Sequence, residues 1–171
     1  NYAVIIIGHS QLDTNFTYLN TLAQASLLLA VANGSGLVNF DNDLSSGGAP
    51  RYPFVQDIFG FSYGSGGSGT NVSLSPTEPS SQMHYITARH PTNDLIAFRS
   101  SIRLPSLTVP PRVTALAWSG TQPVAAVSQY GQGRAVQWAS YDWMVSTVLG
   151  PVDGLDDLVW RGVVWAARKP F

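Results

Sequence analysis

A polar and aromatic cluster follows directly on an apolar run in the last quarter of the chain. The run Ala135–Ala139 is short and rich in Ala and Val, which is typical of a strand, and it leads into Tyr141, Asp142 and Trp143. An aromatic ring suits stacking on the face of a sugar, and a neighbouring carboxylate suits hydrogen bonds to its hydroxyls. These residues therefore predict a carbohydrate-binding site, with a core position under the last helix as the alternative for Trp143.

Three more side chains complete the predicted site. His9 and Asp41 each follow an apolar strand pattern, at Ala3–Ile7 and Leu37–Phe40, and Tyr63 lies in a glycine-rich segment. Because the carboxyl ends of parallel strands meet at one edge of a sheet, we expect His9 and Asp41 near the Tyr-Asp-Trp cluster.

The sequence lacks the common motifs that indicate a catalytic site. No cysteine is present, which excludes thiolate catalysis and cysteine-ligated metals, and neither a GxSxG elbow nor a GxGxxG turn after a strand occurs. His84 and His90 do not have the spacing of a known zinc motif. We therefore expect no catalytic residue, no metal and no cofactor in this domain. A small hydrolase using His9, Asp41 or His90 is an alternative, although nothing in the spacing assembles a triad.

The elements that position these residues can be predicted from periodicity and turn chemistry. The apolar spacing of residues 18–31 predicts a helix capped by Asn15 or Thr17, and with its flanking strands it forms a β-α-β unit. Val124–Val127 and Ala135–Ala139 flank a glycine turn and predict an antiparallel hairpin. We further predict a last helix over Leu155–Ala167. The remaining predictions are a mobile loop at Gly64–Gly69, a strand at Met83–Ala88 and a helical turn at Asp94–Phe98.

Composition limits the classes of partner. Only 11% of the 171 residues are charged and the net charge is −1, so no basic surface suggests nucleic acid. The longest apolar stretch, Leu22–Ala32, is too short to span a membrane. Three N-x-S/T triplets, at Asn15, Asn33 and Asn71, predict glycosylation and a secreted or cell-surface location.

The order of segments resembles the class I glutamine amidotransferase-like family, most closely its trehalose-utilisation branch. The resemblance rests on AVIIIGHS and GLVNF near the start, on His90-Pro91, on PVAAVSQYGQGRAVQWASYDW, and on the closing VVWAARKPF. It implies an α/β fold, namely a flavodoxin-like three-layer sandwich with a mostly parallel sheet plus a C-terminal antiparallel hairpin, as a single domain over residues 1–171. The family's nucleophile is a cysteine, so the resemblance does not extend to glutaminase chemistry.

A second resemblance concerns Gly154–Phe171, GLDDLVWRGVVWAARKPF, which is similar to the segment leading into the catalytic domain of fungal galactosaminogalactan-type polysaccharide deacetylases. It implies a non-catalytic module, internal to a longer secreted enzyme, that binds or guides an amino-sugar polysaccharide. The adjacent deacetylase domain of the same chain would then hold a divalent metal. The alternative is a structural spacer that packs against a neighbouring catalytic domain and orients it.

Overall fold

A computed structural model of the chain describes residues 3–8, 19–40, 45–46, 49–50, 53–63, 67–74, 84–90, 95–104, 107–140, 142–144 and 154–168. Within these ranges three helices and eleven strands have defined bounds, and residues 142–144 are also helical. The helices are α1 (Thr21–Ala32), α2 (Pro53–Phe59) and α3 (Leu155–Ala167). The strands are β1 (Val4–Ile7), β2 (Gly36–Asn39), β3 (Ser45–Ser46), β4 (Ala49–Pro50), β5 (Ser62–Tyr63), β6 (Gly67–Leu74), β7 (Leu95–Leu104), β8 (Leu107–Thr108), β9 (Thr114–Ser119), β10 (Gln122–Tyr130) and β11 (Gly133–Trp138).

One seven-stranded mixed sheet organises the molecule, with the order β1-β2-β11-β10-β9-β6-β7, and it curls into a half-barrel. In this described sheet only β1–β2 and β2–β11 pair in parallel, and the other four neighbouring pairs are antiparallel. Two-residue turns join β9 to β10 and β10 to β11, and such short connections can link only antiparallel strands. The predicted flavodoxin-like sandwich with a mostly parallel sheet is therefore wrong.

The predicted local pairings are confirmed where the strands are described. β1 and β2 are adjacent and parallel, and β10 and β11 form the antiparallel hairpin around the glycine turn. The helix predicted over Leu155–Ala167 has those bounds in the structure. These features follow from contiguous patterns, because a tight turn or an amphipathic period lies within a few residues of sequence.

Other local predictions are wrong. Gly67–Gly69, part of the predicted mobile loop, belongs to β6 and pairs with β7, while the rest of that loop lies outside the described residues. Residues 84–90 form consecutive turns rather than a strand, and Leu95–Phe98 belongs to β7 rather than to a helical turn. The local pattern is overridden where a strand partner distant in sequence is present, as for Gly67–Gly69 and Leu95–Phe98. It is also overridden where no such partner is described, as for residues 84–90.

The sheet is buried on both faces at its centre. Val38, Val136 and Trp138 pack under α3, whereas their neighbours Leu37 and Ala135 face a second cluster with α1 and α2. All four residues of β2 are buried, as expected for a strand covered on both sides. None of the helices in the described ranges is both long and apolar enough to cross a membrane.

Candidate functional site

The strands that precede the predicted site end at the same edge of the sheet. Ile7, Asn39 and Gln137 are aligned across the parallel strands β1, β2 and β11. Asn39 Nδ2 donates a buried hydrogen bond of 2.9 Å to Gln137 Oε1 at this edge. His9, Asp41 and Tyr141, which come next in the sequence, lie outside the described residues, as does Asn15.

Trp143 lies in the core and is fully buried. Its ring centroid is 4.7 Å from that of Trp138 and 5.4 Å from that of Phe98, which it meets edge-on. Protein side chains therefore occupy the positions at which a sugar would stack on Trp143. Of the two predictions for this residue, the core position is the one that the structure shows. Sequence reasoning placed it in a loop because no local pattern connects it to β7.

The other described members of the predicted site have separate surroundings. Asp142 is half-buried and accepts a hydrogen bond of 2.8 Å from Ser140 Oγ, which holds its carboxylate against the end of β11. Tyr63 lies in β5, where it pairs with Leu107 of β8. Of the two described sequons, Asn33 is exposed at the end of α1 and Asn71 is exposed in β6.

A different cavity lies where residues 84–90 meet α3, and we call it the α3 cavity. Its volume is about 360 Å³, within the range of small-ligand sites, and it is lined by Tyr85, Arg89, Asp157, Trp160 and Arg161. Positions 157, 160 and 161 are related by the i, i+3 and i+4 spacing that places side chains on one helical face. The opposite wall consists of consecutive turns, in which Thr87 and His90 donate backbone hydrogen bonds to His84 and Thr87.

Arg161 fixes the floor of this cavity. Arg161 is only 8% exposed, but its guanidinium has hydrogen-bond partners within the protein. Nε donates to Asp157 Oδ2 at 2.8 Å, and Nη1 donates to the Tyr85 carbonyl oxygen at 2.8 Å. The guanidinium carbon also lies 4.9 Å from the centroid of the Tyr85 ring. His90 Nε2 approaches the same carboxylate oxygen at 3.5 Å. The arrangement ties α3 to the turns and orients the Asp157 carboxylate.

Trp160 and Arg89 are the accessible members of the cavity. The Trp160 side chain is 60% exposed, which is unusual for so large an apolar group. Arg89 is exposed and forms no ion pair with another described residue. An open indole face beside a carboxylate and a guanidinium can hold a ligand that has both an apolar face and hydroxyl groups.

Sequence reasoning missed this site. It placed Trp160 and Asp157 within the predicted helix Leu155–Ala167 and gave neither residue a functional role. A helical wheel carries the signal, because Trp160 is two residues, or about 200°, from both Leu158 and Gly162, which are buried. Arg89 had no such signal: it follows directly on the predicted strand Met83–Ala88, whereas residues 84–90 form turns.

A third cluster, at the other end of α3, is structural. His84 packs edge-on against Trp165 with 5.0 Å between ring centroids, and Arg134 lies 5.1 Å from the centroid of the Trp165 ring. Burial, and secondly the positive charge of Arg134, lowers the pKa of His84 from 6.5 to about 4. His84 is therefore neutral at physiological pH, and its Nδ1 accepts a hydrogen bond from the Ile86 N–H at 3.3 Å.

The described residues contain no group of three or more His, Cys, Asp or Glu that could hold a metal ion. His90 Nε2 lies 3.5 Å from Asp157 Oδ2, the same oxygen that Arg161 Nε contacts at 2.8 Å.

Comparison with known proteins identifies the fold. No protein-family model and no curated protein matches the chain. Among solved structures, a cytoplasmic protein from Salmonella typhimurium is 16% identical with a TM-score of 0.64, covering 98% of this chain and 73% of that one. A ThuA-like protein from Parabacteroides merdae is 15% identical with a TM-score of 0.65, covering 97% and 70%. A β-galactosidase from Rahnella sp. is 14% identical with a TM-score of 0.54, covering 98% of this chain but 22% of its own.

These findings correct the second resemblance drawn from the sequence. Nothing in the comparisons supports a fungal deacetylase accessory module, and that identification is wrong. Its physical weakness is that GLDDLVWRGVVWAARKPF is an amphipathic helix, a pattern that many unrelated folds share. At these identities the similarity shows the fold alone: the chain has the fold of the ThuA-like proteins, which is glutamine amidotransferase-like.

Proposed function

We propose that this domain is a non-catalytic carbohydrate-binding module and that the α3 cavity is its saccharide site. The observation that carries the proposal is the open ring of Trp160 beside the carboxylate of Asp157 in a cavity of about 360 Å³. A pyranose presents an apolar face of C–H groups and a rim of hydroxyls. The indole accommodates the face, and the carboxylate and guanidinium groups accommodate the rim.

The rigidity of the cavity supports a binding role. Asp157 is held by Arg161, which is in turn held by the Tyr85 carbonyl, so its carboxylate is oriented before any ligand arrives. Binding to a preorganised site avoids part of the entropy cost of ordering side chains.

The occurrence of the fold in carbohydrate-active enzymes also supports the proposal. Two of the similar structures are β-galactosidases, from Bacillus circulans and Rahnella sp., in which the matched region makes up 22% of the chain. A region of this fold therefore occurs within two proteins that are named β-galactosidases. Galacto-oligosaccharides are therefore candidate ligands in addition to amino-sugar polymers.

Calorimetric titration of the folded chain tests the proposal. The ligands are a galacto-oligosaccharide and the N-acetylated and deacetylated forms of an amino-sugar oligomer. We expect at least one to bind, and Trp160→Ala to weaken that binding by about 1–3 kcal/mol, the usual effect of losing an aromatic hot spot. Leu95→Ala is the matched control, because Leu95 is a 57% exposed apolar side chain on β7. A folded chain that binds none of the saccharides would refute the proposal.

The proposed module is secreted or located at the cell surface. Asn33 and Asn71 are exposed, so glycans at these positions would not disturb the core. Intact-mass measurement of the protein recovered from a secretory host tests this part, since an unmodified mass would remove the sequons as support.

A second candidate function, a packing module that orients a neighbouring domain, rests on α1. This helix is apolar on all sides, yet among its residues only Val31 is fully buried, while Leu22 and Leu29 are 77% and 62% exposed. A helix of this composition is usually covered on all sides. If this candidate holds, the isolated chain self-associates in sedimentation experiments, and the double change Leu22→Gln and Leu29→Gln makes it monomeric without loss of stability.

A further inference from the structure

We infer that the α3 cavity selects an anionic saccharide, one whose ring carries a carboxylate, and that Arg89 is the residue that recognises it. This inference rests on the proposed carbohydrate-binding function and specifies its ligand. Its basis is the balance of charge inside the cavity and the different states of its two arginines.

Among the described residues that line the cavity, positive charges outnumber negative charges. Arg89 and Arg161 contribute two guanidinium groups, and Asp157 is the one carboxylate among the described lining residues. That carboxylate is engaged by Arg161 Nε at 2.8 Å and lies 3.5 Å from His90 Nε2. The charge of Asp157 is therefore already balanced within the protein, whereas Arg89 forms no ion pair with another described residue and can pair with an anionic ligand.

The two arginines have different tasks. Arg161 is nearly buried, and both its Nε and its Nη1 already donate to protein oxygens, so it is a positioning residue. Arg89 is exposed at the rim, on turns braced by the Thr87 and His90 backbone hydrogen bonds. A guanidinium can bind a carboxylate through two parallel hydrogen bonds, which gives geometric selection as well as charge attraction.

Trp160 explains why the anion should belong to a saccharide. A free inorganic anion gains nothing from contact with an apolar ring. A uronic acid, in contrast, has a C–H face that can stack on the indole, and its own sugar ring carries a carboxylate. The exposed indole and the available guanidinium line one cavity and therefore match two parts of one ligand.

The test compares a galacturonic acid trisaccharide with a neutral galactose trisaccharide, by calorimetry on the full chain at low salt. We expect the acidic trisaccharide to bind at least tenfold more tightly, and the preference to shrink as salt is added. Arg89→Gln should abolish the preference, so that the acidic trisaccharide binds no more tightly than the neutral one. Arg89→Lys should restore part of it, because the charge returns without the bidentate geometry. Inorganic sulfate, the anion-only probe, should compete only at millimolar concentrations or above.

Arg112→Gln is the matched control, since Arg112 is exposed and lies beside Gly60 at the end of α2, outside the residues that line the cavity. It should leave the preference unchanged. Equal binding of the two trisaccharides by the unmodified chain, or a preference that survives Arg89→Gln, would overturn the inference while leaving the carbohydrate-binding function standing. Failure of the folded chain to bind either trisaccharide or any other saccharide would overturn both. Sulfate competing as well as the acidic trisaccharide would show a simple anion site and also overturn the inference.

Discussion

At the scale of single residues, two tryptophans exchange the roles that their sequence contexts indicate. Trp143 follows a strand among polar residues, yet it is fully buried between Trp138 and Phe98. Trp160 lies inside a regular amphipathic helix, yet it is 60% exposed. Each residue's role can be tested by truncating its side chain and measuring stability.

Trp143→Ala should lower the free energy of unfolding by about 3–5 kcal/mol, because it removes a large buried ring from the core. Trp160→Ala should change it by no more than about 0.5 kcal/mol. Urea unfolding followed by circular dichroism measures both. Comparable stabilities for the two variants would contradict the burial of Trp143.

His84 should make stability depend on pH in a defined window. Its pKa is about 4 in the folded chain and near 6.5 when unfolded, so between these values the unfolded chain binds a proton that the folded chain does not. The free energy of unfolding should therefore fall as the pH drops from 6.5 towards 4, by at most about 3 kcal/mol from this group.

The His84→Gln variant isolates this contribution from the titration of carboxyl groups. It should be less stable at neutral pH, and its stability should decline less steeply below pH 6.5. If the free energies of unfolding of the two proteins fall in parallel as the pH is lowered to 4, His84 is not the group responsible.

At the scale of elements, α1 begins at a different residue from the one predicted. The sequence pattern suggested Asn15 or Thr17 as the cap, but Asn20 caps the helix, and its Oδ1 accepts a hydrogen bond of 3.0 Å from the Ala23 N–H. Asn20→Ala should lower stability by about 1 kcal/mol, and Asn20→Asp should restore most of it. Thermal unfolding measures the difference, and an unchanged midpoint for Asn20→Ala would argue against the cap.

The turn between β10 and β11 fits tightly against the end of α1. Gly131 has a φ of +56°, and a Cβ added there would lie 2.6 Å from the Ala32 carbonyl oxygen. Gly120, in the turn between β9 and β10, has a nearly equal φ of +59° but no neighbouring atom within 4 Å of such a Cβ. The two glycines therefore differ in packing and not in backbone conformation.

Substituting alanine at both positions separates these effects. Gly120→Ala should cost about 1–2 kcal/mol, the strain of a left-handed conformation. Gly131→Ala should cost a further 1–3 kcal/mol or so, because the backbone of α1 must move away. Denaturant unfolding of both variants measures the difference, and equal losses would mean that α1 and the hairpin are not in close contact.

At the scale of the whole molecule, stability should be distributed from the centre of the sheet outwards. β2, β11 and β10 are flanked on both sides by strands and carry buried residues on both faces, whereas β1 and β7 form the edges of the described sheet. Hydrogen exchange should therefore be slowest at residues such as Val38, Val127 and Val136, and at least 100-fold faster in β1. Protection of β1 equal to that of β11 would show that its outer edge is covered.

The sequence by itself determined the features that depend on residues close together in the chain. The hairpin of β10 and β11 is encoded by its apolar runs and its glycine turn, and α3 by its amphipathic period. The parallel pairing of β1 with β2 follows from the helix that connects them. Each of these features is determined locally, because a turn, an amphipathic period or a crossover helix restricts how segments within about thirty residues of each other can pair or pack.

Only the tertiary structure decided which distant surfaces meet. β6 pairs with β9 some forty residues further on, which extends the antiparallel part of the sheet to β6 and β7, and no local pattern specifies that partner. The same holds for the site: Trp160 forms a cavity with Arg89 because residues 84–90 pack on α3, while Trp143 is buried because Phe98 of β7 lies against it. Burial depends on what lies opposite a side chain, and long-range pairing fixes it only once the chain has closed into its three-dimensional shape.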